Sequence, residues 1–240
     1  MRLRLGLAEI YAKTKKYQHK HQKGGESMKV LLLGSIGVLA ETSELQRQAY
    51  NKAFHKHGLD WYWSVANYCD LLKNPGGRKR LISYANSNIS QQLVESIHNS
   101  KEEFYRHALK GGLSPREGLV ECLDYCRSNN IVVALITTTT ESNISALSDA
   151  LKPEINFDQF SLITTKKDVQ NEKPSSDIYK YALSYFDITA EQAIAIEDTE
   201  ANQEAALKEE IICYLFAGEY ATTAHNLNAI NSLHVIKNLI

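Results

Sequence analysis

Val30-Leu-Leu-Leu-Gly-Ser-Ile-Gly-Val-Leu-Ala-Glu-Thr42 is the stretch on which the fold turns. Its opening, Lys29–Leu33, is an unbroken apolar run closed by a glycine. A strand covered on both faces of a parallel sheet reads this way, whereas a half-exposed strand would alternate. Beyond Gly111-Gly112 the same kind of run recurs between helical stretches. The pattern predicts helix 117–128, strand 131–136, helix 141–151, strand 160–163, helix 175–186, strand 193–196, helix 200–209 and strand 211–215. Short strands alternating with helices give a parallel sheet joined by right-handed crossovers. The intervening stretch is different. Ser43–His57 carries Leu45, Ala49, Ala53 and Phe54 at helical spacing, with Thr42 or Ser43 as N-cap and Gly58 as stop. Residues 60–110 read as helical, with Pro75-Gly76-Gly77 as the turn and Leu93, Ile97, Phe104 and Leu109 as apolar positions. Trp61-Tyr62-Trp63 is expected to pack those helices together. The fold class is therefore α/β: a Rossmann-like core with a parallel sheet, interrupted after its first strand by an all-helical insert.

Composition narrows the classes. The 240 residues carry a net charge of −1, with 43% apolar and 23% charged residues, an ordinary mix for a globular chain with a sizeable core. The apolar runs are strand-sized, which argues against a membrane span, and the near-neutral charge argues against nucleic acid as the main partner. Cys69, Cys122, Cys126 and Cys213 match no zinc spacing and read as reduced structural thiols, with Cys122 and Cys126 on one helix face. That suits the cytoplasm. Residues 1–27 hold seven Lys/Arg against two acidic residues and lack the apolar stretch of a secretory signal. They read as a basic, poorly ordered leader, with organellar targeting left open. The histidines are scattered, and His55 and His57 read as solvated.

Four motifs then fall at strand ends, where ligands bind in open parallel sheets. The segment 30–42 resembles the first motif of the haloacid dehalogenase (HAD) superfamily: an apolar strand, Asp-x-Asp-Gly-x-Leu, then an acidic-Thr pair. Gly37, Leu39, Glu41 and Thr42 fit it. Ser43–Phe54 is similar to the first cap helix of the CbbY-type members, and Pro75-Gly-Gly-Arg-Lys-Arg80 to their cap signature. Thr137-Thr-Thr-Thr-Glu-Ser-Asn-Ile144, Lys173-Pro-Ser-Ser-Asp-Ile-Tyr179 and Ile196-Glu-Asp-Thr199 resemble the second, third and fourth motifs. The resemblance runs from residue 28 to about 225. It implies a HAD core at 28–43 and 111–240 and a helical cap at 44–110.

Phosphoryl transfer to an enzyme needs a carboxylate nucleophile, a proton donor for the leaving oxygen and a divalent ion that quenches charge. The resemblance implies that the first two roles fall at Gly34 and Ile36, whose side chains can neither attack nor move a proton. Ser35, read as lying on a strand end, would point away from both neighbours. By the same resemblance Thr137 and Lys173 would hold the phosphoryl group, Gln46, Arg80 and Thr138 would contact the substrate, and Glu197 and Asp198 would hold a weakly bound or lost Mg2+. Gln46 stands where the CbbY pattern has a histidine, and Asn202 and Glu210 stand where glycines usually follow the fourth motif. The expected function is a CbbY-type sugar-phosphate phosphatase homologue that has lost catalysis and retains phosphoryl-ligand binding or a regulatory role with a protein partner. The alternatives are an active or residual hydrolase on a small phosphorylated sugar and, more remotely, a nucleotide-binding Rossmann protein suggested by Gly34-x-x-Gly37-x-x-Ala40. Replacing Gly34 and Ile36 by aspartate is expected to restore some turnover.

Overall fold

The structure, a computed structural model, describes residues 29–73, 76–221 and 228–240. The basic leader at 1–27, Pro75 of the cap signature and the side chain of Ser35 lie outside the described part. Five parallel strands form one sheet: β1 (Val30–Gly34), β2 (Val132–Ile136), β3 (Leu162–Ile163), β4 (Ala193–Glu197) and β5 (Ile212–Leu215), in the order β3-β2-β1-β4-β5. β1 is central, and all five of its residues are buried. Leu31 and Leu33 face one apolar cluster with Val133, Leu135 and Leu147. Val30 and Leu32 face another with Ala134, Ile178, Tyr179 and Cys213. Helices cover both faces, which is why the strands read as continuous apolar runs.

Nine α-helices complete the described residues: α1 (Ser35–Leu39), α2 (Ser43–Lys56), α3 (Val65–Leu72), α4 (Gly77–Tyr84), α5 (Gln91–Leu109), α6 (Leu119–Ser128), α7 (Glu141–Leu151), α8 (Asp177–Phe186) and α9 (Glu200–Leu207). α7 begins where its N-cap dictates, with the Thr140 hydroxyl accepting from the Asn143 amide. Helices α2–α5 lie between β1 and β2 in the chain and share an aromatic cluster of their own. Tyr50 and Trp63 have ring centroids 4.5 Å apart, with Phe54, Tyr68 and Leu81 packed around them. Trp63 is fully buried while Tyr62 remains exposed, so the Trp61-Tyr62-Trp63 segment does pack these helices.

Two local expectations change. The extended conformation ends at Gly34, and α1 begins at once, so strand alternation does not govern Ser35 and Ile36. His57 is not simply solvated: its Nε2 lies 3.0 Å from Ser100 Oγ on α5. Cys122 and Cys126 are buried and unoxidised on one face of α6, as their spacing implied.

Candidate functional site

The sheet register builds the site. Gly34 pairs with Ile136, and Leu33 pairs with Ile196, so the ends of β1, β2 and β4 meet in one place. β1 delivers Gly34 and Ile36, β2 delivers Thr137 and Thr138, and β4 delivers Glu197 and Asp198. Above them a cavity of about 450 Å³ opens against α2, α4 and α5. Ile36, Gln46, Arg80, Thr137, Thr138, Lys173 and Asp198 all line it. Of the nine candidate catalytic, substrate and metal residues, Gly34 and Glu197 do not.

Glu197 is the centre of the arrangement. It is fully buried, and its Oε1 accepts from both Lys173 Nζ and the Tyr179 hydroxyl. Lys173 Nζ also donates to the Ile136 carbonyl at 2.7 Å, and the Lys173 side chain is only 6% exposed. Oε2 has no hydrogen-bond partner. Burial pushes the Glu197 carboxyl upward from its ordinary range, while Lys173 opposes the shift. The carboxylate fills the space in front of Gly34. A β-carbon at position 34 would lie 2.6 Å from Glu197 Oε2 and closer still to Oε1 and Cδ. Gly34 itself has φ −80° and ψ 152°, open to any residue, so a side chain there would be opposed by the placement of the Glu197 carboxylate and not by the backbone angle. Gly37 is likewise confined: a β-carbon there would sit 3.0 Å from Asp198 Cγ and closer to Oδ2.

The threonines are partly committed to local structure. The Thr137 hydroxyl accepts from the Thr139 amide at 3.2 Å, and Thr137 N donates to Thr164 Oγ1 at 2.8 Å. Thr138 Oγ1 accepts from the Lys173 amide at 3.3 Å, fixing the loop that carries the lysine. Arg116 braces the floor: its guanidinium donates to the carbonyls of Gly37, Phe216 and Ala217 at 3.0, 2.7 and 2.7 Å and stacks 3.3 Å from the Phe216 ring centre. On the helical side the loop after β5 reaches α2, where Glu219 N donates to Glu41 Oε2 and the Tyr220 hydroxyl to Glu44 Oε2, both at 2.7 Å.

Sequence reasoning missed two groups on α5. Lys101 lines the cavity with its side chain 7% exposed, 2.9 Å from Glu102 Oε1 and over the rings of Tyr50 and Tyr105. His98 lines it too, and its Nδ1 is buried without a partner. Burial, reinforced by Arg78 and Lys101, brings His98 down to about 4. A signal existed for Lys101. Val94, Ile97, Lys101, Tyr105 and Leu109 recur every three or four residues, so a lysine sits in an otherwise apolar seam. Gly77 of the cap signature is where α4 meets His98 and the Tyr50 hydroxyl, since a β-carbon there would lie 3.1 Å from His98 Nε2.

The residues at the strand ends do not fit a magnesium ion. Glu197 Oε1 is engaged by a lysine and a tyrosine, Gly34 supplies no ligand, and of the strand-end acids Asp198 alone lines the cavity. Magnesium requires near-octahedral oxygen ligands. Among the described residues no three His, Cys, Asp or Glu side chains converge as a metal site.

The profile of the haloacid dehalogenase-like hydrolases matches residues 37–215, and the chain belongs to that family. Within it the chain is CbbY-like. It is 32% identical over 197 residues to protein CbbY of Rhodobacter capsulatus, covering 80% of this chain and 87% of the relative. The crystal structure of a CbbY mutant from Rhodobacter sphaeroides in complex with xylulose-(1,5)bisphosphate superposes with a TM-score of 0.77 at 29% identity, covering 87% of this chain and 96% of that one. The structure of the same protein with phosphate gives the same TM-score, identity and coverage. The α/β, Rossmann-like fold with its parallel sheet is that of HAD hydrolases.

Proposed function

We propose that this chain is a CbbY-type sugar-phosphate phosphatase homologue that has lost hydrolysis and keeps a cavity for a phosphorylated small molecule. The carrying observation is that Gly34 and Ile36 stand at the nucleophile and acid/base positions while Glu197 fills the space before Gly34. No carboxylate is left at the end of β1, and Glu197 is fully buried with its Oε1 held by Lys173 and Tyr179. Removing a covalent nucleophile on the order of a million-fold slows such reactions, and losing the acid as well closes the route in which water attacks with base assistance. In this reading 28–43 and 111–240 form the core and 44–110 the cap over its strand ends. The ligand lies between them, with Thr137, Thr138 and Lys173 at the phosphoryl end and Gln46 and Arg80 on the cap. Magnesium binding is weak or lost, and the chain works in the cytoplasm. The bisphosphate held by the Rhodobacter relative supports a phosphorylated sugar as the ligand class. No helix among the described residues is long and apolar enough to cross a membrane.

The test is a thermal-shift titration with xylulose 1,5-bisphosphate and related sugar phosphates, run beside a phosphate-release assay. Stabilisation without turnover supports the proposal. Turnover, or the absence of any shift with every sugar phosphate tried, overturns it.

A further inference from the structure

Directly behind Lys173, at the phosphoryl end of the cavity, sits an anion of the chain's own, the fully buried Glu197 carboxylate. An ammonium group that meets a phosphate must have donors free for its oxygens. Lys173 commits two of its three Nζ donors to Glu197 Oε1 and the Ile136 carbonyl, and its side chain is nearly buried. The Tyr179 hydroxyl, fully buried beneath, holds the same carboxylate oxygen from the other side. The missing side chain at position 34 is what makes this packing feasible, because any β-carbon there would collide with the carboxylate. Gly34, Lys173, Tyr179 and Glu197 therefore act as one unit.

We propose that Glu197 is an internal competitor for phosphate: its carboxylate occupies the Lys173 anion site, and a phosphate monoester enters only by displacing it. This rests on the proposed function and adds the determinant that sets how tightly the phosphoryl end binds. The competition is electrostatic and steric together. A phosphate beside a seated Glu197 would meet like charge at close range with one lysine to serve both. Neutralising Glu197 while keeping its shape leaves the lysine in place and removes the rival charge.

Calorimetric titration of the full chain with inorganic phosphate distinguishes this from a purely structural ion pair. Glu197→Gln is expected to bind phosphate at least ~10-fold more tightly than the wild type, a difference of about 1.4 kcal/mol. The gain should vanish in Glu197→Gln combined with Lys173→Met. Tyr179→Phe, which removes one of the two donors holding the carboxylate, should give a smaller gain of the same sign. If Glu197→Gln does not fold, Tyr179→Phe decides alone: tighter phosphate binding supports the competitor, and unchanged or weaker binding overturns it. Equal phosphate affinity in wild type and Glu197→Gln, or a gain that survives the loss of Lys173, also overturns it. These outcomes stand apart from the proposed function, which fails instead on sugar-phosphate turnover or on loss of sugar-phosphate binding with the Glu197 results intact.

Discussion

Gly34→Ala isolates the link between β1 and Glu197. The backbone at 34 is extended, so alanine brings no conformational strain, and replacing glycine there should if anything favour folding by restricting the unfolded chain. The opposing effect is spatial. The new methyl would lie 2.6 Å from Glu197 Oε2 and closer to the other carboxyl atoms, in a fully buried setting. Overpacking of this kind costs about 1–3 kcal/mol. If the methyl drives Glu197 off Lys173, the cost rises toward that of a broken buried pair, roughly 3–5 kcal/mol. For a chain of this size each kcal/mol lowers Tm by about 2–4 °C. Urea unfolding of wild type, Gly34→Ala, Glu197→Ala and the double variant measures the coupling directly. Glu197→Ala should destabilise on its own by leaving Lys173 unpaired, but Gly34→Ala added to it should cost at least ~1 kcal/mol less than in the wild type. A neutral Gly34→Ala whose effect simply adds to that of Glu197→Ala would refute the reasoning. The same contact sets a condition on the expectation that aspartates at 34 and 36 restore turnover. Aspartate at 34 and Glu197 compete for one volume and one lysine, so restoration requires Glu197 to move.

Arg116→Ala should cost about 3 kcal/mol in urea unfolding, because three partly buried carbonyls lose a charged donor, and Arg116→Lys should recover little of it. His98 has a folded value of about 4 against an ordinary 6.5, so unfolding takes up a proton between those limits. Its contribution is complete above about pH 6.5 and declines as pH falls toward 4, by at most about 3 kcal/mol, and His98→Gln should flatten that part of a stability-against-pH curve. Lys101→Met keeps the length of the side chain and removes the charge that Nζ holds over Tyr50 and Tyr105, leaving Glu102 to Asn143 and Arg106. It should leave the fold intact by circular dichroism and weaken sugar-phosphate binding by about 10-fold or more in the thermal-shift titration.

The core was legible because its strands are covered on both faces and its helices carry their own punctuation. Glu141–Leu151 falls where the Thr140 cap and the apolar spacing put it, and Ser43–Lys56 differs from its expected span by one residue. Glu210 also conforms: it stands at a position where glycine is usual, and its φ is +61°. Sequence placed the ends of β1, β2 and β4 together, because parallel topology brings those ends to one edge. What it could not give was the side-chain packing across that edge. Nothing in Ile196-Glu197-Asp198 says that the glutamate turns inward to fill the space before Gly34, since that depends on an absent β-carbon 163 residues earlier in the chain. α1 was missed because five residues are too few to show a period. His98 was missed because a histidine on a largely polar helix carries no mark of its burial.

The most direct measurement is steady-state phosphate release from a sugar bisphosphate by the wild-type chain, with magnesium present, beside Lys173→Ala from the same purification. No release above background from either protein is the predicted result. Robust turnover by the wild type that Lys173→Ala abolishes would contradict the loss of hydrolysis and return the chain to the working phosphatases of its family.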